Sequence, residues 1–260
     1  MRRAPLALLA LLWAAPALAQ TPAATDHAAD RVYDPAAMAA AREQLRVEHG
    51  GMAVSKVMAN LLEHQSRSGG DGYRWEGEAW VGGDLHRLVI KSEGEGAVRG
   101  RVEAAELQAL YSRAVTRYTD LQFGLRQDFS PGPARTSLAA GAQTLLPYWV
   151  EAQGAVFLSG QGDLRGRVEA TYDLRLTQRL ILQPRVELNL AAQDTPRARL
   201  GAGLSTAELG LRLRYELKRE FAPYVGVSYD RSYGRTADYA RAAGHETHAT
   251  SLVVGLRGWF

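Results

Sequence analysis

Acidic side chains that could hold a cation recur on alternating positions within several segments of this chain. Glu76 and Glu78 stand two apart, Glu169 and Asp173 fall on one alternating series, and Glu151 opens another. Asp120, Glu187, Glu208 and Glu216 follow the same parity. Arg167, Arg175, Arg185, Arg212, Arg214 and Arg257 are interleaved with them. Carboxylate oxygens bind transition-metal dications weakly, and carboxylates beside narrowing arginines can line a cation path. The alternative is that these charges only pair with each other across strands. His245 and His248, flanking Glu246, could together hold a transition metal. The string His-Glu-Thr-His is one residue short of the zincin helix pattern, so it does not predict a metalloprotease. His49 and Met52, with His27 upstream, offer imidazole and thioether donors for a loose metal-collecting arm. Solvated loop histidines and a plain tether are the competing readings.

These residues sit in elements with a strict two-residue period. Val168, Ala170, Tyr172 and Leu174 alternate with Arg167, Glu169, Thr171 and Asp173. Leu209, Leu211, Leu213 and Tyr215 alternate with Glu208, Arg212 and Arg214. Successive side chains of a strand point to opposite faces, so each strand has one apolar and one charged face. A soluble sheet would turn the apolar face to a core. A membrane barrel would turn it to lipid and keep the charges inside.

The start of the chain favours export. Arg2 and Arg3 precede an apolar run from Leu6 to Ala15, and Ala17-Leu18-Ala19 forms a small-x-small cleavage site before Gln20, so residues 1–19 read as a signal peptide. Its removal takes away Arg2 and Arg3 and lowers the formal net charge from +3 to +1, which gives no support for nucleic-acid binding. The sequence has no cysteine, so no disulfide holds the exported chain, and no apolar run is long enough for a membrane helix. Residues 20–54 read as a flexible N-terminal periplasmic arm, with a short helix of little burying power over 36–47.

Strands are predicted over 55–66, 73–82, 85–93, 101–113, 117–128, 136–145, 149–158, 166–176, 179–191, 204–218, 222–231 and 250–260. The first is ambiguous, because Val54, Val57, Met58, Leu61 and Leu62 also fit a helical spacing. Short connections at 146–147, 177–178 and 220–223 alternate with longer ones at 129–135, 192–203 and 232–249, as in barrels with short periplasmic turns and longer outer loops. A terminal Phe260 closes an outward series of Leu252, Val254, Leu256 and Gly258. Counting back from it, the segment 55–66 is needed as a strand to leave the N-terminus in the periplasm. The fold expected is all-β: a transmembrane antiparallel β-barrel of twelve strands over 55–260. Tyr148, Trp149, Tyr215, Tyr224 and Trp259 are expected in interfacial girdles, and Trp75 and Trp80 in the wall or girdle.

Several segments resemble the copper resistance protein B family. They include Trp75-Glu76-Gly77-Glu78-Ala79-Trp80, Lys91-Ser92-Glu93-Gly94-Glu95, Glu106-Leu107-Gln108-Ala109-Leu110-Tyr111-Ser112-Arg113 and Leu146-Pro147-Tyr148-Trp149. Gln178-Arg179-Leu180-Ile181-Leu182-Gln183-Pro184-Arg185, Glu208-Leu209-Gly210-Leu211-Arg212-Leu213-Arg214-Tyr215 and Phe221-Ala222-Pro223-Tyr224 extend the resemblance over residues 55–260. It implies a Gram-negative outer-membrane barrel acting in copper tolerance, with copper ions bound or transported, the lipid bilayer as surroundings and a periplasmic multicopper oxidase as partner. Family members often carry a Met- and His-rich N-terminal arm, whereas residues 20–58 here hold only His27, His49, Met38, Met52 and Met58. The metal-handling residues expected are therefore Glu76, Glu78, Glu151, Glu169, Asp173, His245, His248, His49 and Met52. A general small-solute porin is the alternative. An outer-membrane hydrolase is a weaker one: Ser205, Ser228 and Ser251 are present, but no His shares their expected face, and no Gly-x-Ser-x-Gly or phosphate-binding loop occurs. No catalytic residues are assigned.

Overall fold

A computed structural model describes residues 27–49, 51–68, 70–130 and 134–260. The expected signal peptide, 1–19, and the first residues of the expected arm lie outside the described residues. Two compact units are present, Met1–Gly50 and Gly51–Phe260. In the first, α1 (Pro35–His49) begins with proline in its first turn and an Asp34 carboxylate that accepts from the Ala37 N–H at 3.1 Å. Arg42 clasps Asp30 of the preceding turn at 2.5 and 3.2 Å. No residue of α1 is buried, in line with its alanine-rich sequence.

The second unit is a closed barrel. Its strands are β1 (Val54–Ser66), β2 (Gly72–Gly82), β3 (His86–Ala97), β4 (Val102–Ala114), β5 (Thr119–Ser130), β6 (Arg135–Leu146), β7 (Val150–Ser159), β8 (Leu164–Tyr172 and Leu174–Arg175, interrupted at Asp173), β9 (Leu180–Ala191), β10 (Gly203–Tyr215), β11 (Phe221–Ser232) and β12 (His248–Trp259). Each pairs antiparallel with its neighbours in sequence, and β12 pairs with β1 to close the ring. Backbone bonds between Val57 and Phe260, at 3.0 and 2.8 Å, complete the seam.

Burial shows which face turns inward. Glu208 is 6% exposed and Arg212 is 1% exposed, whereas their neighbours Leu209 and Leu211 are 54% and 48% exposed. Leu252, Val254, Val225 and Val227 are likewise exposed, while Ser228, Ser251 and Arg214 are buried. A wall of exposed leucine and valine around buried charge is an arrangement for hydrocarbon, not water.

In β1 the ladder slips between Ala59 and Leu61. Val57 and Ala59 face out before this bulge, and Leu62 and His64 after it, so the apolar spacing imitates a helix. The slip turns Leu61 inward against Tyr224 and Val253. Tyr224, expected in a girdle, is therefore an interior residue, and its hydroxyl donates to Glu63 at 3.0 Å. Trp80 also faces in. It belongs to a cross-strand row, Trp80–Val89–Leu110–Gly124–Ala139–Phe157, that makes a second apolar cluster on the inner wall. Trp259 shares the inward parity of Ser251 and Val253, with its Nε1 donating to the Arg219 carbonyl at 2.9 Å.

One rim carries the turns 83–85, 115–118, 147–149, 176–179 and 216–220, together with both ends of the barrel chain. The other carries 67–71, 98–101, 131–134, 160–163, 192–202 and 233–247. The asymmetry in length therefore rests on the last two loops. The connection expected over 129–135 shrinks to 131–134, because β5 runs on to Ser130. The segment expected as a long loop over 232–249 contains α2 (Gly234–Ala242), which buries Thr236 and Ala237.

The hydroxyl end of the Tyr224 ring lies against Gly255, its direct partner on β12. A Cβ at Gly255 would stand 2.5 Å from the Tyr224 ring and 2.8 Å from the Leu62 carbonyl. Gly255→Val should therefore destabilise the barrel by about 1–3 kcal/mol. The expected reading is a lower urea midpoint of the detergent-solubilised barrel; an unchanged midpoint would contradict this packing.

Candidate metal-handling lumen

Inward acids and arginines from β1–β5 and β8–β10 meet across the middle of the barrel. Glu187 lies at the hub, 3.2 Å from Arg74, 3.0 Å from Arg185 and 3.5 Å from Arg167. Arg74 also pairs with Glu93 at 3.1 Å and with Glu208. Arg167 reaches Glu93 at 2.6 Å and Glu106 at 2.9 Å. Arg185 holds Glu76 at 2.8 Å and Glu169 at 2.9 Å. Arg212 grips both oxygens of Glu63 at 3.0 and 3.1 Å. Arg126 joins Glu106 to Asp128, and Arg165 adds a further contact to Asp128 at 2.6 Å. Charges closed off from water must be paired, and bidentate guanidinium–carboxylate contacts do this best. The network fills the centre of the barrel.

Two cavities flank it. The one toward the turn rim has a volume of about 160 Å³, and Glu76, Glu78, Glu151 and Glu169 all line it. Four of the five strand carboxylates expected to handle metal are thus brought together. Glu76 and Glu169 share Arg185, and Glu169 also accepts from the Gln153 amide. Glu78 faces Lys91 at 3.7 Å. Glu151 makes no ion pair among the described residues. Asp173, at the break in β8, is exposed and is held by Arg214 at 2.6 Å, by the Gln183 amide at 2.7 Å and by Arg257 at 4.0 Å. Arg257 also lines the cavity, so Asp173 stands at its edge.

The remaining expected ligands lie elsewhere. His245 and His248 border the larger cavity toward the loop rim, of about 1010 Å³. The His248 ring lies 6.4 Å from that of Tyr229, on the outward parity of β12. His49 ends α1, and Met52 is exposed ahead of β1. Among the described residues, no group of three or more His, Asp or Glu side chains is arranged to hold a metal ion.

The sequence reading missed Glu63, Arg74, Glu93, Glu106, Arg126, Asp128 and Arg165, which supply much of the network. Their signal was present: Glu63 with Gln65, Glu93 with Glu95, Glu106 with Gln108 and Arg126 with Asp128 each repeat at two residues. Met58, counted among the donors of residues 20–58 and also placed in the first predicted strand, faces inward on β1, opposite Glu78, and lines the smaller cavity.

The Arg212–Glu63 pair gives the network a measurable weight, because the side chains are 1% and 0% exposed. Arg212→Ala leaves a buried carboxylate without its counter-charge and should cost about 3–5 kcal/mol. Adding Glu63→Leu to an Arg212→Met change should recover most of that loss. Urea unfolding of both variants in detergent measures the difference, and equal stabilities would show that the pair is not the cause.

The profile of a family described as "Copper resistance protein B precursor" matches residues 53–260. A "Copper resistance protein B homolog" of Pseudomonas syringae pv. tomato is 45% identical over 212 residues, covering 82% of this chain and 72% of that protein. "Copper resistance protein B" of Escherichia coli is 45% identical over 204 residues, covering 78% and 69%. Among solved structures, the KdgM porin shares the barrel fold, with a TM-score of 0.50 and 12% identity over 80% of this chain and 99% of that one. The closed barrel, its lipid-facing wall and these relatives lead to one conclusion: this chain belongs to the copper resistance protein B family, an outer-membrane barrel with a role in copper resistance.

Proposed function

We propose that the barrel binds copper ions in the smaller cavity and exchanges them along its lumen, with copper as cargo and no catalytic step. The observation that carries this reading is the convergence of Glu76, Glu78, Glu151 and Glu169 with the Met58 thioether on about 160 Å³ of space. That space can hold a partly hydrated ion, and its carboxylate and amide lining favours an ion over an apolar solute. Carboxylates accept Cu(II), and a thioether suits Cu(I). Amides of Asn60, Gln108, Gln122, Gln143 and Gln153 line the same space and supply neutral oxygens for an ion that is losing its water.

Transfer past the network follows from its sharing of partners. Arg185 serves three carboxylates at once, so an incoming cation can take over Glu76 or Glu169 while the guanidinium keeps the others. The charge-filled centre favours ion exchange over free solute diffusion, which sets this reading above that of a general porin. The turn rim faces the periplasm in this proposal. The arm over 20–54 then lies on that side, where His49 and Met52 gather copper and a multicopper oxidase is the partner. His245 and His248 face the cell exterior.

Replacing Glu76, Glu78 and Glu151 together with Gln should at least halve the copper retained per purified barrel after exposure to copper, as read by elemental mass spectrometry. Copper tolerance of cells carrying this variant should fall in parallel. His245→Ala with His248→Ala should lower surface uptake alone. Unchanged copper content in the triple variant would sink the proposal.

A further inference from the structure

The larger cavity has an architecture that ion exchange does not require. Its loop-rim wall is built from the connections 192–202 and 233–247, which are fastened to each other. The Gly201 N–H donates to Thr236 Oγ1 at 2.9 Å, and Arg235 pairs with Asp194 at 2.5 Å. Asp194 also accepts from the Ala202 N–H at 2.9 Å. Gly201 approaches α2 so closely that a Cβ there would stand 2.6 Å from the Arg235 Cβ and 2.8 Å from the Thr236 nitrogen. Two long loops joined by backbone, hydroxyl and ionic contacts make a preformed mouth. The cavity behind it, of about 1010 Å³, matches the size of sites that take small organic molecules, about 300–1,000 Å³.

Its unmatched charges have both signs. Arg197 and Arg199 project from the 192–202 connection and make no ion pair among the described residues, although both line the cavity. Arg199 is held in the left-handed backbone region, at φ 54°. A non-glycine residue takes that conformation at a cost that its surroundings must offset, and such residues gather at binding sites. Glu95 of β3 and Asp230 of β11 line the same cavity. Neither makes an ion pair among the described residues, and Asp230 accepts only from Ser228 at 3.3 Å. The other acids at the floor, including Glu93, Glu106 and Glu187, are already engaged by the network.

We infer that this outer cavity is a binding site for a zwitterionic small molecule, an amino acid or short peptide. Its carboxylate would lie toward Arg197 and Arg199, and its ammonium toward Glu95 and Asp230. A planar guanidinium fork matches a carboxylate, and an ammonium group needs acceptors that are not already occupied. This assignment does not rest on copper, since both charge sets lie outside the carboxylates proposed to carry the metal.

The test is calorimetric titration of the full mature barrel in detergent with metal-free triglycine, and with triglycine capped as the amide or as the N-acetyl peptide. Triglycine should bind saturably, and either cap should weaken it at least fivefold. In Arg197→Ala/Arg199→Ala the amide cap should lose its effect while the acetyl cap keeps it. Glu95→Gln/Asp230→Asn should show the reverse. Heat-modifiable migration equal to that of the unmodified protein establishes that each variant is folded, and single substitutions replace any pair that is not. Absence of saturable triglycine binding, or variants that discriminate the caps as the parent does, would overturn the inference. Neither result would bear on copper retention by the Glu76, Glu78 and Glu151 set.

Discussion

A strand in hydrocarbon has no water to bond its amides, so every N–H and C=O must find a partner on another strand. That constraint organises the whole second unit. It requires β12 to return to β1, and the Val57–Phe260 bonds at the seam are its last step. Closure then decides the fate of the charged faces. Twelve strands that each turn one polar face inward enclose their acids and arginines in a narrow volume, away from bulk water. Pairing becomes obligatory, and the network centred on Glu187 is the result.

The network and the cavities are two aspects of one packing problem. Arginines long enough to cross the lumen bridge β2 to β9 and β3 to β8, which fills the centre. Inner-wall positions occupied by small residues, such as Ala139, Gly141 and Ala155, leave space beside it, and the smaller cavity lies there. Apolar residues also enter the lumen. The row from Trp80 to Phe157 offers an arginine face as well as packing, since the Arg126 guanidinium stacks 4.3 Å from the Phe157 ring centre. The interior is therefore a mixed core in which a few carboxylates, Glu151 and Glu95 among them, make no direct ion pair among the described residues.

Strand positions were legible because a period of two is a local property of neighbouring residues. The alternation of Leu209, Leu211 and Leu213 against Glu208, Arg212 and Arg214 needs no tertiary information. Errors arose where the local period and the three-dimensional register part company. The bulge in β1 inverts the parity between Ala59 and Leu61, so its apolar residues looked helical and Glu63 escaped notice. Tyr224 and Trp259 are expected in interfacial girdles and Trp80 in the wall or girdle from residue type, yet parity and cross-strand partners turn all three inward. Residue type states a preference for interfaces, whereas the register of the ladder fixes the face.

By itself the sequence determined an exported, cysteine-free chain of twelve amphipathic strands, the family it resembles, and one set of residues that must share a side of the wall. The strands and the shared side follow from periodicity and composition, and the family from segments such as Trp75–Trp80 and Glu106–Arg113; all are readable along the chain. Only the tertiary structure decided which acid meets which arginine. It alone gathers Glu76, Glu78, Glu151, Glu169 and Met58 around one small space, leaves His245 and His248 at the other end, and fastens the two long loops together. Such meetings depend on strand stagger and barrel closure, which bring together residues far apart in the chain, as Arg212 and Glu63 are, and no local pattern encodes that distance.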